Sequence, residues 1–211
     1  MSFYYNGYVG PERRVIFHPH IPRTGGRFIE QIFKYNNFSP HFNYYDQKVN
    51  DVSLPHMDSE MYNNFYDEES LSLPSFTVIR NPIDRFISAY KVTRDIHSLP
   101  EINVFIKNLS YFYQSNPKSL DNFLTPQYKF LKKGMKLWKF ENGFEQTLCD
   151  WININFDVKL KYDDGIKEIY EDLQKEKLVY ENSCTLRERL SNYSKVILIK
   201  FYWRDFFIHS K

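Results

Sequence analysis

Two stretches of this chain share one design, and together they fix what it can fold into. "RVIFHPHIPRTGGRFIEQIF", Arg14 to Phe33, passes from a β-branched and aromatic run through prolines and a glycine pair. Apolar residues at helical spacing follow: Phe28, Ile29, Ile32 and Phe33. "SFTVIRNPIDRFISAY", Ser75 to Tyr90, repeats the plan. It predicts a strand over Phe76–Ile79 with a basic residue at its end and Pro82 in the first turn of a helix. Ile83, Phe86, Ile87 and Tyr90 then share one face of that helix. "MKLWKFE", Met135 to Glu141, alternates as a third strand. Strands alternating with helices predict an α/β fold, a parallel sheet flanked by helices on both faces.

The remaining segments fill in around this frame. From Ser39 to Pro74 the chain is polar and punctuated by Pro40, Pro55 and Pro74, so long connections are expected, with one helix near Asp58–Tyr66. Loops of that length in a compact domain are often functional. "LPEINVFIKNL" and "SLDNFLTPQYKFL" look helical but are interrupted by Pro100, Pro117 and Pro126. "GIKEIYEDLQKEK" reads as an amphipathic surface helix. In "SKVILIKFYWRDFFI" the run "VILI" alone could be a strand, yet Ile199, Tyr202, Trp203 and Phe206 recur at helical spacing and favour a helix. A chain of 211 residues is within the range of one α/β domain, residues 1–211.

Charge and cysteine narrow the partners. Lys+Arg 28 against Asp+Glu 26 gives a net charge of +2, too balanced for a general nucleic-acid binder, so any basic site must be local. Cys149 and Cys184 have no metal-ligand spacing and make no disulfide framework. The N-terminal "MSFYYNGYVGPERR" has no apolar signal core, and no stretch approaches the ~18 apolar residues of a membrane span.

What chemistry needs bare backbone and positive charge together after a strand? In open α/β sheets ligands sit beyond the carboxyl ends of the strands. Both candidate sites, Arg23–Arg27 and Arg80–Ser88, follow strands at that edge. Glycines let successive N–H groups turn inward as an anion nest, and the helix that follows adds its positive end. Arg23 and Arg27 supply full charges there and Thr24 a hydroxyl. The bland alternative is a glycine turn with two solvated arginines. The nucleotide-loop pattern G-x-x-x-x-G-K-[ST] is absent, which argues against an ordinary ATP or GTP loop and so against a nucleotide kinase. Two anion sites at one edge call for a ligand with two separate anionic groups.

These residues carry a family resemblance. "HIPRTGG" resembles the H-I-P-K-T-G-G-T phosphosulfate loop of sulfotransferases that use 3′-phosphoadenosine 5′-phosphosulfate (PAPS). "RNPIDRFISAY" resembles their 3′-phosphate motif R-[DN]-P-x-x-R-[FY]-x-S-x-Y almost residue for residue. "LTPQYKFL", "KFEN" and "YWRDF" resemble further landmarks of the carbohydrate-type, family 2 enzymes, in the right order. The resemblance implies a P-loop-like sulfotransferase fold. It implies transfer of a sulfuryl group from PAPS, with PAP as product and no metal, to a hydroxyl-bearing acceptor, a saccharide above all. Arg23, Thr24, Gly25, Gly26 and Arg27 would surround the phosphosulfate, and Arg80 and Ser88 would hold the 3′-phosphate. Animal relatives usually carry an N-terminal membrane anchor, so the resemblance implies either a cytoplasmic microbial or viral protein or one whose anchor has been removed.

Two positions depart from the family pattern. Arg23 stands where the family has Lys, keeping the charge but replacing a compact ammonium with a planar fork that cannot donate a proton near neutral pH. Arg27 replaces a Thr or Ser, removing a hydroxyl and adding a charge. They leave open a rival: a PAP- or PAPS-binding protein of the same fold that has lost turnover. The acceptor hydroxyl needs a general base, and histidine is best poised for it. His56, between the two donor motifs, is the first choice, and the rival reading of it is an exposed loop histidine. His20, Glu30 and Asp58 are alternatives, His18 reads as core, and His41, His97 and His209 as surface. Glu141 and Asn142 read as structural, Asp205 as pairing or capping within the last helix, and Lys132 and Lys133 as a solvated pair.

Overall fold

The computed structural model describes residues 2–6, 14–40, 48–115, 118–178 and 183–211. An antiparallel pair comes first, β1 (Ser2–Asn6) and β2 (Arg14–His18), with Tyr4 opposite Ile16. Helix α1 (Gly26–Tyr35) follows β2 across the glycine turn, and β3 (Phe38–Pro40) returns to pair antiparallel with β1. A tight hairpin joins β4 (Lys48–Val49) to β5 (Val52–Ser53). Its turn residues, Asn50 and Asp51, both have positive φ (50° and 65°), as a two-residue hairpin turn requires. A 3₁₀ turn, Leu54–His56, leads to α2 (Ser59–Phe65) and α3 (Glu68–Ser72). Asp58 and Asp67 cap these two helices by accepting from Met61 and Ser70 N–H.

Strand β6 (Phe76–Ile79) then feeds α4 (Pro82–His97), where Pro82 occupies the first turn and the Asn81 side chain accepts from the Ile83 and Asp84 N–H groups. Helices α5 (Ile102–Lys107) and α6 (Leu109–Ser115) precede two 3₁₀ turns, Ser119–Asn122 and Gln127–Phe130. Strand β7 (Lys136–Lys139) follows, and α7 (Gln146–Phe156), α8 (Asp164–Leu178), α9 (Ser183–Arg189), α10 (Asn192–Phe201) and α11 (Trp203–Ser210) complete the order.

The fold is mixed α/β with a small parallel sheet. β6 and β7 pair in parallel from Phe76 opposite Lys136 to Ile79 opposite Lys139. β2 joins β6 by one parallel bridge, Phe17 to Ser75, backed by the Phe17 N–H bonded to the Pro74 carbonyl at 2.9 Å. The expectation of an all-parallel sheet is therefore corrected at its N-terminal side, where β1 and β3 are antiparallel. The connection between β1 and β2 is too short for the dozen or more residues a parallel crossover needs.

Alternation along the strands sorts the core. Ile16, Phe76, Val78 and Trp138 face α1 and α7 in one cluster with Phe28, Ile32, Phe33, Leu148 and Ile152. Phe17 turns the other way, onto Val52, Leu54, Met57 and Tyr62, and Ile79 packs with Ile21 and Phe130. A separate cluster joins α4 to α5 and α10 through Phe86, Tyr90, Phe105, Ile106 and Leu198. Each such buried side chain is worth about 1.5–3 kcal/mol relative to exposure, enough to hold α4 beside the sheet edge. The C-terminal run is helical, as its spacing predicts, but breaks at Tyr202, whose buried hydroxyl donates to the Leu124 carbonyl at 2.9 Å. The stretch 119–131 forms no long helix: Pro126 and three left-handed residues leave only the two 3₁₀ turns.

Candidate active site

The glycine turn is shaped by two left-handed residues, Arg23 (φ 70°) and Gly25 (φ 89°). Alternating backbone handedness of this kind curls successive N–H groups toward one side. Gly25 also precludes a side chain, because an added Cβ would collide with the Phe144 ring. At Gly26 the obstacle is the imidazole of His20, which lies against the Cα. No side chain caps α1, and the Phe28 N–H turns back onto the Gly25 carbonyl at 3.0 Å. The base of the loop is pinned twice: the Thr77 hydroxyl donates to the Pro19 carbonyl and the Thr24 hydroxyl to that of Ile21, both at 2.7 Å. The Thr24 hydrogen therefore closes the turn.

The second motif is locked onto the first. Gln127 grips the Arg80 backbone at both ends, its Oε1 accepting from the Arg80 N–H at 2.9 Å and its Nε2 donating to the Arg80 carbonyl at 2.8 Å. The Arg80 guanidinium stacks on the Phe140 ring (4.3 Å) and donates to the Arg23 carbonyl at 3.3 Å. Burial lowers its pKa while Asp84 and Glu141 oppose that shift, and a guanidinium stays charged throughout. In return, Arg23 Nε donates to the Ser88 hydroxyl at 3.0 Å. Arg85, 1% exposed, donates through Nε to the Pro22 carbonyl (3.0 Å) and through Nη2 to that of Phe123 (3.2 Å). One helix, α4, thus holds the loop through both Ser88 and Arg85.

Beside the loop is a histidine–carboxylate pair. His56 Nδ1 lies 2.6 Å from Asp121 Oδ2, and Asp121 also accepts from the Ser53 N–H (2.6 Å) and the Ser53 hydroxyl (2.9 Å). The His56 ring meets those of His20 (5.1 Å) and Phe123 (5.4 Å) edge-on. Burial lowers the His56 pKa more than Asp121 raises it, so the imidazole is neutral near pH 7. Burial acts to raise Asp121, but its bonds from His56 and Ser53 prevail and hold the carboxyl below its ordinary value. Asp121 belongs to a run of three left-handed residues, Leu120, Asp121 and Asn122 (φ 55°, 54° and 60°), a conformation that Asp and Asn tolerate but that costs about 1–2 kcal/mol at Leu120.

A model of the sulfotransferase family matches residues 7–209, nearly the whole chain. The chain belongs to the sulfotransferase family. No curated protein and no solved structure matches it. Membership supports sulfuryl transfer as the general activity of this sulfotransferase. Among the described residues, no helix is long and apolar enough to cross a membrane, and no group of His, Cys, Asp or Glu could hold a metal ion.

The fold gathers Arg23, Thr24, Gly25, Gly26, Arg80 and Ser88 at one sheet edge, with His56 beside them through His20. Arg27 is exposed in the first turn of α1. Of the alternative bases, Glu30 is buried against Lys34 (2.5 Å) and Asp58 caps α2. His18 stacks on Phe76 (4.6 Å) in the core, its pKa lowered by burial to about 3. His20 is buried, and its pKa is pushed well down, first by burial and then by His56. His41 lies outside the described residues.

Several bland assignments change. Asp205 does not act within its own helix; it caps the Gln127–Phe130 turn by accepting from Gln127 N–H (2.8 Å) and Tyr128 N–H (2.9 Å). Lys132 is half-buried over Phe17, with its ammonium on the Leu71 and Leu73 carbonyls, while Lys133 is exposed. Glu141 is structural as expected, accepting from Asn81 N–H (2.7 Å) and facing His209 at 3.0 Å. Sequence reasoning missed Asp121 and Arg85. Arg85 is in the quoted motif and carried a signal; Asp121, far along the chain from His56 in a stretch without a motif, carried none.

Proposed function

We propose that this chain transfers a sulfuryl group from PAPS to a hydroxyl of a saccharide, as a single P-loop-like domain. One observation carries the reading. Arg23, in the first anion motif, is tied to the second at two points, through its side chain to Ser88 and through its carbonyl to Arg80, with a neutral buried histidine alongside. The donor set fits a ligand with two anionic ends: guanidinium, hydroxyl and backbone N–H groups line the edge, and no acidic residue lies between Pro19 and Arg27.

When bound, PAPS supplies a sulfuryl group activated by its link to a phosphate. Arg23, Thr24, Gly25, Gly26 and Arg27 would hold the phosphosulfate end and Arg80 with Ser88 the 3′-phosphate. The fixed charge of Arg23 offsets negative charge that gathers on the leaving oxygen, an electrostatic role that needs no proton. His56 takes the proton of the acceptor hydroxyl as that oxygen becomes nucleophilic. Its burial beside the loop keeps it neutral and ready to do so.

The test is transfer of labelled sulfate from PAPS to a panel of oligosaccharides by wild type and His56→Ala. Turnover in the wild type and its loss by roughly 100-fold or more in the variant is expected from removal of a general base. Binding of PAP without turnover on any acceptor would instead favour the impaired-binder reading, and Mg²⁺-dependent binding of ATP the kinase.

A further inference from the structure

Asp121 holds more of the site than its place in the sequence suggests. Its carboxylate is the meeting point of three donors, Ser53 N–H, Ser53 Oγ and His56 Nδ1. The adjacent Asn122, fully buried, donates from Nδ2 to the His56 carbonyl at 2.9 Å, and its Oδ1 accepts from Thr125 Oγ1 at 2.9 Å. His56 is therefore gripped at its ring and at its backbone by consecutive residues. Those residues, with Leu120, adopt left-handed backbone, which Asp and Asn tolerate but Leu avoids. Persistent strain of this sort needs surroundings that fix it, and it concentrates where geometry matters to function. Asp121 also lines a cleft of about 660 Å³ with Phe123, Thr93 and Lys118, while His56 lies buried behind it.

We propose that Asp121 is a positioning residue for this reaction, fixing the His56 ring and its tautomer so that the basic lone pair is on Nε2. This rests on the function proposed above. An ionised carboxylate only accepts hydrogen bonds. At 2.6 Å from Asp121, His56 Nδ1 must carry the hydrogen, and the imidazole is left basic at Nε2 alone. Among the described residues Arg23 also acts on His56, against a positive charge on the ring. Asp121 supplies the opposing effect, stabilising the imidazolium formed when the acceptor proton arrives. Asp58, two residues on, is turned to the Met61 N–H at 3.0 Å.

Asp121→Asn separates this role from simple support. The amide oxygen can still accept from Ser53 N–H, but an amide nitrogen facing Nδ1 donates and reverses the ring's tautomer. In a related triad the same exchange lowers kcat about 10⁴-fold. The experiment is ¹⁵N NMR of the full chain, with the His56 resonances assigned by His56→Gln, together with kcat and KM against pH. Expected are an Nδ1–H tautomer in the wild type, an Nε2–H tautomer in Asp121→Asn, and a kcat at least about 100-fold lower with PAP affinity within threefold. The rising limb of kcat should also move to lower pH, because the variant no longer raises the His56 pKa. A wild-type His56 with its hydrogen on Nε2 overturns the proposal whether or not the variant folds, as does an active wild type whose kcat the exchange leaves unchanged. The tautomer is read without turnover, so a wild type that transfers no sulfate counts against the function alone.

Discussion

Arg85→Met is the most informative single change outside the anion contacts. Arg85 is buried, and its guanidinium spans two loop carbonyls, Pro22 at 3.0 Å and Phe123 at 3.2 Å. Pro22 precedes Arg23, and Phe123 follows the turn that carries Asp121. Methionine fills the volume but leaves both oxygens without that donor. An unsatisfied buried polar group costs about 1–3 kcal/mol, and the bond to Phe123 is only part-buried. Removing the desolvated charge returns some of that loss. The net is about 2 kcal/mol, or roughly 4–8 °C in Tm for a domain of this size. Thermal and urea unfolding measure it, with a PAP titration on the same samples. PAP binding should weaken as well, because the loop loses its tie to α4. Arg85→Lys should recover little, since one ammonium cannot span both carbonyls. A Tm within 1 °C of wild type and unchanged PAP affinity would refute this account of Arg85.

Other expectations test separate parts of the structure. Asp205→Ala frees one buried N–H, that of Gln127, and one part-buried, that of Tyr128, and should cost about 1–3 kcal/mol in urea unfolding; a loss below ~0.5 kcal/mol would contradict the cap. Gly26→Ala drives a methyl into the His20 ring and so toward His56, predicting a stability loss of about 1–3 kcal/mol and reduced transfer; normal values for both would contradict that packing. His18 has a folded pKa depressed from 6.5 to about 3, so the unfolded chain binds its proton first. Its contribution is complete above pH 6.5 and is lost as pH falls toward 3, at about 1.4 kcal/mol per unit. His18→Phe should reduce the slope of stability against pH in that window by one proton, and an unchanged slope would place His18 in water.

The parts of this structure legible in the sequence are those written in local spacing. The strands at Arg14–His18 and Phe76–Ile79 and the helices that follow the glycine and proline turns were readable, because each is set by neighbours within a few residues. The helix expected near Asp58–Tyr66 is α2, Ser59–Phe65. What could not be read depends on partners far along the chain. Asp205 finds the Gln127 turn, Asp121 finds His56, and Arg85 finds Pro22 only once α4 packs beside the loop. Apolar periodicity in 119–131 suggested helix, but it carries no information about the left-handed backbone of Leu120–Asn122, which contacts to Ser53 and His56 hold in place. The antiparallel edge was hidden for a similar reason: a strand's partner is a tertiary property, and β1 gave no motif to announce it.

If the two anion motifs form one site, it should hold a nucleotide with phosphates at both its 3′ and 5′ ends. Calorimetric titration with adenosine 3′,5′-bisphosphate, against 5′-AMP and ATP, tests it on wild type and Arg80→Ala. Binding should be selective for the bisphosphate and weakened at least tenfold in the variant, as loss of a charged hydrogen-bond donor of about 1.4 kcal/mol or more requires. Equal affinity for all three nucleotides, or bisphosphate binding indifferent to Arg80, would contradict it.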